Sequence, residues 1–339
     1  MSEVCERWVH LLRLFPGCSE AHCLEDSNMV TARGEGPWKD FRVWGVTPRV
    51  AKIAKSLGLE DLFPTLEVIR KANDKCFSHQ LEHDLGIALP HSSLVSSLDE
   101  FKTAIRDCPH DWVLKHPLGV SGRERMLGRQ GVLTPSIEGW ARRRLSQGFS
   151  LVFEPWVTER SDSSMHFDIS RTGDVSFIGS CELLCDSGGV FRGHRVRSGF
   201  SPEEFGVKKG REAACILAGL GYWGPVGIDS FTGILGNTKI TRPIVELNAR
   251  CSFGLLALAL KAWLPDGFSY LWWHPSCSEA HALTFPGLKL RPLCPSSKSS
   301  GLYSLPVVID PREHSSSVLA VAETEEKLWS LEEQLKTDL

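Results

Sequence analysis

The stretches VGIDSF (226–231) and PIVELNAR (243–250) alternate apolar and polar side chains, and the polar turn Gly236-Asn237 lies between them. That pattern predicts two neighbouring strands joined as a hairpin. Side chains alternate faces along a strand, so Glu246 and Asn248 point the same way, about 7 Å apart. Asp229 stands on the partner strand, flanked by apolar Ile228 and Phe231. Three oxygen-bearing side chains then converge at one end of a buried sheet. Burying carboxylates without a cation is costly. Magnesium resolves the cost, because it takes oxygen ligands, usually one or two carboxylates, and completes its shell with substrate phosphates. Arg250 projects to the same face and offers a planar fork for a phosphate or a substrate carboxylate. The same residues also fit a salt-bridged hairpin in which Arg250 pairs Glu246. On the hairpin alone both readings stand.

Outward from the hairpin, Lys115 lies in the apolar strand WVLKHP, between Leu114 and His116. A lysine facing inward from a strand needs an anion, and a phosphate is one candidate. The loop GVSGRERMLG (119–128) follows, with three glycines and the cations Arg123 and Arg125. Glycines let backbone amides approach phosphate oxygens. Glu154-Pro155-Trp156-Val157 ends the apolar strand FSLVFEPWV and reads as a hinge offering backbone groups to an adenine edge. An ordinary strand-end carboxylate is the alternative at Glu154.

The remaining elements follow from periodicity and caps. FRVWGV (41–46) reads as a strand and TPRVAKIAKSLGL as a helix capped by Thr47, with Pro48 in its first turn. The pattern from Leu66 to Leu85 is helical throughout. SSLDEFKTAIRD has a capping box, Ser97 ahead of Glu100. A further helix is expected at SIEGWARRRLSQG, antiparallel strands from MHFDIS to Phe191, and a helix at SPEEFGVKKGREAACILAGLG. An apolar helix follows the hairpin. A Pro/Ser-rich loop (292–304), a strand LPVVID and a charged helix from Glu323 close the chain.

The 339 residues are 42% hydrophobic and 23% charged, enough for two or three packed units, with net charge −3. No global basic excess points to nucleic acid or an anionic membrane. The start lacks a secretory signal pattern, and Phe253–Leu264 is too short an apolar run to span a bilayer. The eleven scattered cysteines suit reduced thiols in the cytoplasm better than a disulfide framework or a zinc site. GLGYWG (219–224) spells GxGxxG, but it follows a helix and precedes a strand, the reverse of a dinucleotide turn. No GxxxxGK[ST] and no GxSxG occurs.

Taken in order, NDK (73–75), VLKHPLGVSGRERMLG (113–128), FEPWV (153–157), GPVGIDSF (224–231) and IVELNARCSFG (244–254) resemble the ATP-grasp superfamily over roughly residues 65–260. The resemblance implies an α+β fold of two lobes clasping ATP. A short N-terminal α/β unit (1–70) would precede the ATP-grasp domain (71–275, lid about 90–152), and 276–339 would complete the lobe. It implies ATP and Mg2+ (or Mn2+) as cofactors. Lys75, Lys115, Gly119, Ser121, Gly122 and Arg123 would meet the phosphates, the last four from the lid loop. Glu154 with the backbone of Trp156 and Val157 would receive the adenine, and Asp162 is the expected ribose acid. Asp229, Glu246 and Asn248 would hold the metal, with Arg250 catalytic beside the reacting carboxyl. The implied activity is an ATP-dependent carboxylate–amine ligase acting through an acyl phosphate. A kinase-like phosphotransferase and a non-catalytic nucleotide-binding protein are the alternatives. Partners would be a small-molecule carboxylate and an amine, with no nucleic acid and no membrane, and a homodimer is allowed. Some superfamily ligases carry arginine where this chain has Gly227. Transition-state stabilisation would then fall to Arg250, or to Arg195 or Arg197. His166 and Asp168 lie on a strand after the hinge, where a structural histidine competes with substrate contact.

Overall fold

A computed structural model describes residues 43–119, 124–186, 189–200, 203–273, 291–292, 299–304 and 318–337. Its two sheets, antiparallel except for one short parallel pair at the edge of the larger, differ in size, and the chain enters the smaller one first. Strands β1 (Ser93–Val95), β2 (Trp112–Lys115), β3 (Arg125–Gly128) and β4 (Leu151–Pro155) form a four-stranded sheet in the order β1-β4-β2-β3. Helices Leu98–Asp107 and Pro135–Ser146 pack on one side of it. Phe101, Ile105, Ile137 and Ala141 from these helices meet Trp112, Leu114, Leu151 and Phe153 from the strands in one buried cluster. The capping box forms: Ser97 Oγ accepts from the Glu100 amide at 3.1 Å, and the Glu100 carboxylate reaches back to the Ser96 amide at 2.7 Å. Gly128 is required by its neighbour, since a Cβ there would sit 2.1 Å from the Trp112 ring.

The larger sheet has nine strands. Its long central members are β5 (Thr158–Ile169), β6 (Val175–Cys185), β7 (Phe191–Val196), β8 (Gly224–Leu235) and β9 (Thr238–Asn248). β10 (Ser269–Trp273), β11 (Arg291–Pro292), β12 (Gly301–Ser304) and β13 (Val318–Ala322) extend it, in the order β11-β12-β13-β10-β7-β6-β5-β8-β9. Period-two alternation sorts the residues. Met165, Phe167, Ile169, Val226, Ile228 and Leu247 face a core completed by Ala213, Ala214 and Leu217 of helix Glu204–Gly219. Their neighbours Ser164, Asp229, Glu246 and Asn248 instead line a cleft. The hairpin forms as expected, with Asp229 opposite Glu246 and Gly227 opposite Asn248. Its ladder slips between Asp229 and Phe231, where Pro243 on the facing strand has no N–H to donate.

Several expectations are corrected. FRVWGV gives no strand among its described residues; the Trp44 carbonyl accepts from the Cys251 amide at 2.9 Å, so that backbone serves the site rather than a ladder. Helix α1 (Pro48–Ser56) does start at the Thr47 cap. The helical stretch 66–85 is two helices, α2 (Leu66–Ala72) and α3 (Lys75–Asp84). The break arises because Asp74 caps α3 by accepting from the Cys76 amide at 2.8 Å, while the Asn73 side chain turns to residues 249 and 250. The described ends of the 292–304 loop pair as strands β11 and β12. LPVVID lies outside the described residues. The closing helix is Glu325–Thr337, two residues later than its charge pattern suggested, because Thr324 caps it. Among the described residues, no helix is long and apolar enough to cross a membrane.

Candidate functional site

The cleft, of about 410 Å³, lies between the two sheets. Its floor is the β8–β9 hairpin, continued through Arg250, Cys251 and Ser252 into helix Phe253–Ala259. Asp229 and Glu246 stand side by side on this floor. Asp229 accepts from Ser164 Oγ at 3.0 Å and from Asn248 Nδ2 at 3.2 Å. Glu246 pairs with Lys75 Nζ at 2.5 Å. Burial and then the Glu246 charge push the Asp229 carboxyl well above the usual range. Glu246 goes the other way: burial would raise its carboxyl, but Lys75, with Lys115 and Arg250, together hold it below the usual range. Lys75 pairs with Glu246 alone, so among the described residues Asp229 has no ion-pair partner and the site is short of positive charge. A divalent cation fits that deficit, and the oxygen of Asn248 would join the set once its amide turned.

Arg250 does not pair with Glu246. Its Nη1 donates to Asn73 Oδ1 at 2.6 Å, and the same oxygen accepts from the Ala249 amide at 3.1 Å. Asn73 in turn donates to the Ile69 carbonyl at 2.8 Å. The break between α2 and α3 therefore fixes both ends of the floor at once. Asn73 orients Arg250, and the next turn starts α3 with Lys75 against Glu246. Lys75 also donates to the Gly119 carbonyl at 2.8 Å, tying the beginning of the 119–128 loop to Glu246. Of the loop residues expected at phosphates, Gly119 lines the cleft, whereas Ser121, Gly122 and Arg123 lie outside the described residues. Arg125, one strand later, lines it too.

At the other end, Lys115 Nζ meets Glu154 Oε2 at 2.5 Å. The second Glu154 oxygen accepts from Arg242 at 2.6 Å, and Arg242 grips Glu82 of α3 with two bonds at 2.7 and 2.6 Å. Burial would raise the Glu154 carboxyl, but Arg242 and Lys115 hold it far below the usual range. Glu154 is thus the buried anchor of Lys115. His79, Glu82 and Glu154 bring ligand atoms within 4.8 Å of one another, but Arg242 already supplies the cation they need.

Around the hinge, Leu89, Val157 and Phe231 form an apolar cluster with Val245 packed against it, and all four line the cleft. Arg160 lies over the Phe231 ring at 4.1 Å and pairs with Asp162. The Trp156 amide is committed to the Asp111 carbonyl at 2.6 Å.

The two arginines offered as substitutes for one at Gly227 are elsewhere. Arg195 pairs Glu182 and Glu332, and Arg197 pairs Glu182 and Glu325, both binding the sheet to the last helix. A side chain at 227 would meet the His166 ring, its partner across β5–β8, at 3.3 Å. His166 is buried against Ser252 and Cys181, and Asp168 is exposed; neither lines the cleft. Sequence reasoning missed Asn73 as a clamp, Ser164, Arg160 and Arg242. Ser164 was within reach: strand alternation puts it on the His166 face, beside the hairpin. Nothing local marks Arg242, whose partners are remote in sequence.

The structure is similar to many solved structures, among them the following three. N5-carboxyaminoimidazole ribonucleotide synthetase from Thermus thermophilus superposes with a TM-score of 0.57 at 15% identity, covering 88% of this chain and 80% of that one. Biotin carboxylase from Campylobacter jejuni, in a β,γ-ATP complex, gives 0.57 at 11% identity, over 83% and 70%. The biotin carboxylase domain dimer of Hydrogenobacter thermophilus 2-oxoglutarate carboxylase, in complex with MgADP, ADP and bicarbonate, gives 0.56 at 13%, over 83% and 69%. No family model matches the sequence, and no curated protein does. At these identities the likeness is one of fold: the chain has the α+β ATP-grasp fold.

Proposed function

We propose that this chain is an ATP-dependent ligase that activates a carboxylate as an acyl phosphate for attack by an amine. The observation that carries the reading is the convergence of Asp229, Glu246 and Asn248 on one floor with Lys75 and Arg250 beside them. When bound, Mg-ATP (or Mn-ATP) supplies the phosphoryl group and the charge that screens it.

The residues divide the work by position. Asp229, Glu246 and Asn248 would hold the metal. Lys75 and Lys115 would neutralise phosphate oxygens, and Gly119, Ser121, Gly122 and Arg123 of the loop after β2 would add further phosphate contacts. Lys115 exchanges Glu154 for a phosphate while Arg242 keeps Glu154 satisfied. The apolar cluster of Leu89, Val157, Phe231 and Val245 takes the adenine faces, backbone groups at Trp156 and Val157 take its edge, and Asp162 takes the ribose. Arg250 holds the substrate carboxylate in line. One carboxylate oxygen bonds the γ-phosphorus, and the bond to ADP breaks. The amine nitrogen then attacks the acyl carbon, inorganic phosphate leaves, and the amine gives up a proton to solvent. Arg250 neutralises charge on the acyl oxygens in both steps, so positioning and electrostatics supply the rate. A cytoplasmic location, where ATP is at hand, belongs to this reading, and a homodimer is compatible with the fold.

The test is ADP and phosphate release from purified protein given Mg-ATP and pooled carboxylates and amines. ADP formation that needs both pools supports the ligase. A stable phosphorylated acid formed without an amine would replace it with a phosphotransferase. Tight ATP binding without turnover in any pool would leave only a nucleotide-binding protein.

A further inference from the structure

β5 carries a bulge just after the hinge. Thr158 faces Ile234 and Ser161 faces Thr232, so three steps along β5 are matched by two along β8. Within the bulge, Glu159 has φ 48°, in the left-handed region that a glutamate seldom enters. Opposite stands Gly233, where a Cβ would come within 2.7 Å of Val157 Cγ1, 2.9 Å of the Thr158 carbonyl oxygen and 3.3 Å of Arg160 Cγ. Strained backbone on one strand and a position with room only for glycine on the other thus hold a single arrangement. Bulges of this kind re-aim side chains and are concentrated beside active sites.

The side chain that leaves the bulge into the cleft is Arg160. Its guanidinium lies 4.1 Å from the centre of the Phe231 ring, and its Nη2 pairs with Asp162. Phe231 itself is only 3% exposed, with buried Arg242 also over its ring at 5.9 Å. The Arg160 side chain keeps 26% of its surface open. On the Phe231 side, the hinge pocket therefore offers a ligand a guanidinium backed by a ring, not the ring. A guanidinium is planar, delocalised and weakly hydrated, and it stacks on aromatic faces, of which a nucleobase is one. The carboxylate of Asp162 beside it accepts hydrogen bonds only when ionised, which suits ribose hydroxyls.

Resting on the nucleotide half of the ligase reading, we propose that Arg160 is a nucleotide-binding residue whose guanidinium stacks on the base while it holds Asp162 toward the ribose. Phe231 supports it from behind, and the bulge with Gly233 fixes its place. Lys115 and Arg125 line the same cleft, so a phosphate is the competing partner for this cation.

Calorimetric titration of ATP and of inorganic tripolyphosphate, each with magnesium, separates base from phosphate. The advantage of ATP over tripolyphosphate measures what base and ribose contribute. Arg160→Ala is expected to cut that advantage about tenfold, the scale of a desolvated cation–π contact, and to leave the tripolyphosphate affinity unchanged. Unchanged tripolyphosphate binding also shows that the variant is folded. Arg160→Lys keeps a cation beside Asp162 but loses the plane, and it is expected to lose most of the advantage as well. The lysine variant guards against an alanine variant that misfolds. An undiminished advantage in either variant, whether or not tripolyphosphate affinity falls, overturns this proposal and leaves the ligase standing. Failure of the parent protein to bind ATP overturns both.

Discussion

Asn73 gives one carbonyl oxygen to two tasks, the Ala249 amide and the Arg250 guanidinium. Removing it frees a flexible side chain at the point where the reacting carboxyl would be held, and a misplacement of about 1 Å is enough to cost about 100-fold in rate. Asn73→Ala is therefore expected to lower kcat by one to two orders of magnitude with the affinity for Mg-ATP intact. Asn73→Asp, which keeps an acceptor for Arg250, should recover part of the loss. Steady-state kinetics set beside ATP binding separates this positioning role from a general loss of fold, which would move both. The site's polar floor was legible at this scale. Asp229, Glu246, Asn248 and Arg250 share a face because strands alternate, and alternation is written in the residues themselves. Asn73 was legible only as part of NDK. Its clamp depends on a helix break that the continuous apolar pattern of 66–85 conceals.

Among the elements, β9 connects the most. Its register carries Glu246 and Asn248 to the floor, and its slip at Pro243 directly follows Arg242, buried between Glu82 of α3 and Glu154 of β4. That arginine joins a helix, the hinge strand of the small sheet and the edge strand of the large one. Breaking a buried pair leaves uncompensated charge, at a cost of about 3–5 kcal/mol. Arg242→Met is expected to lose that much stability in a denaturant titration. Arg242→Met with Glu82→Leu, which removes one of the stranded carboxylates, should recover a measurable part. If the single variant unfolds like the parent, the triad is peripheral to stability. The element order was largely legible, because caps at Thr47 and Ser97 punctuate the helices. The strand expected at FRVWGV is not realised among its described residues. Propensity favours it, but the Trp44 backbone is drawn to Cys251. β10 and β13 pair across a long stretch of chain, and such non-local pairing leaves no local signal.

Among the described residues of the whole molecule, three histidines are buried in uncharged form. Burial pushes His166 to about 3, with His194 adding to the effect, and His79 and His194 to about 4. Unfolded, each titrates near 6.5. Between those values the unfolded chain binds more protons, so stability is full above about pH 6.5 and falls as the pH drops toward 4. Melting temperature is expected to decline through that window, and His194→Gln should flatten the decline. A melting temperature independent of pH from 6.5 to 4.5 would mean that the rings titrate in the folded state. At this scale the cleft between two sheets was legible through the order of motifs, and the ATP-grasp fold bears that out. The tie from Arg195 and Arg197 to the last helix was not, since their partners Glu332 and Glu325 lie far along the chain and only the folded chain brings them together.

The central claim is that Asp229, Glu246 and Asn248 hold a divalent cation with ATP. It is tested most directly by calorimetric titration of ATP into the purified protein, with and without magnesium, for the parent and for Glu246→Ala. Magnesium is expected to tighten ATP binding to the parent by at least tenfold, and this gain should disappear in a folded Glu246→Ala variant. A magnesium gain of the same size in parent and variant would contradict the claim.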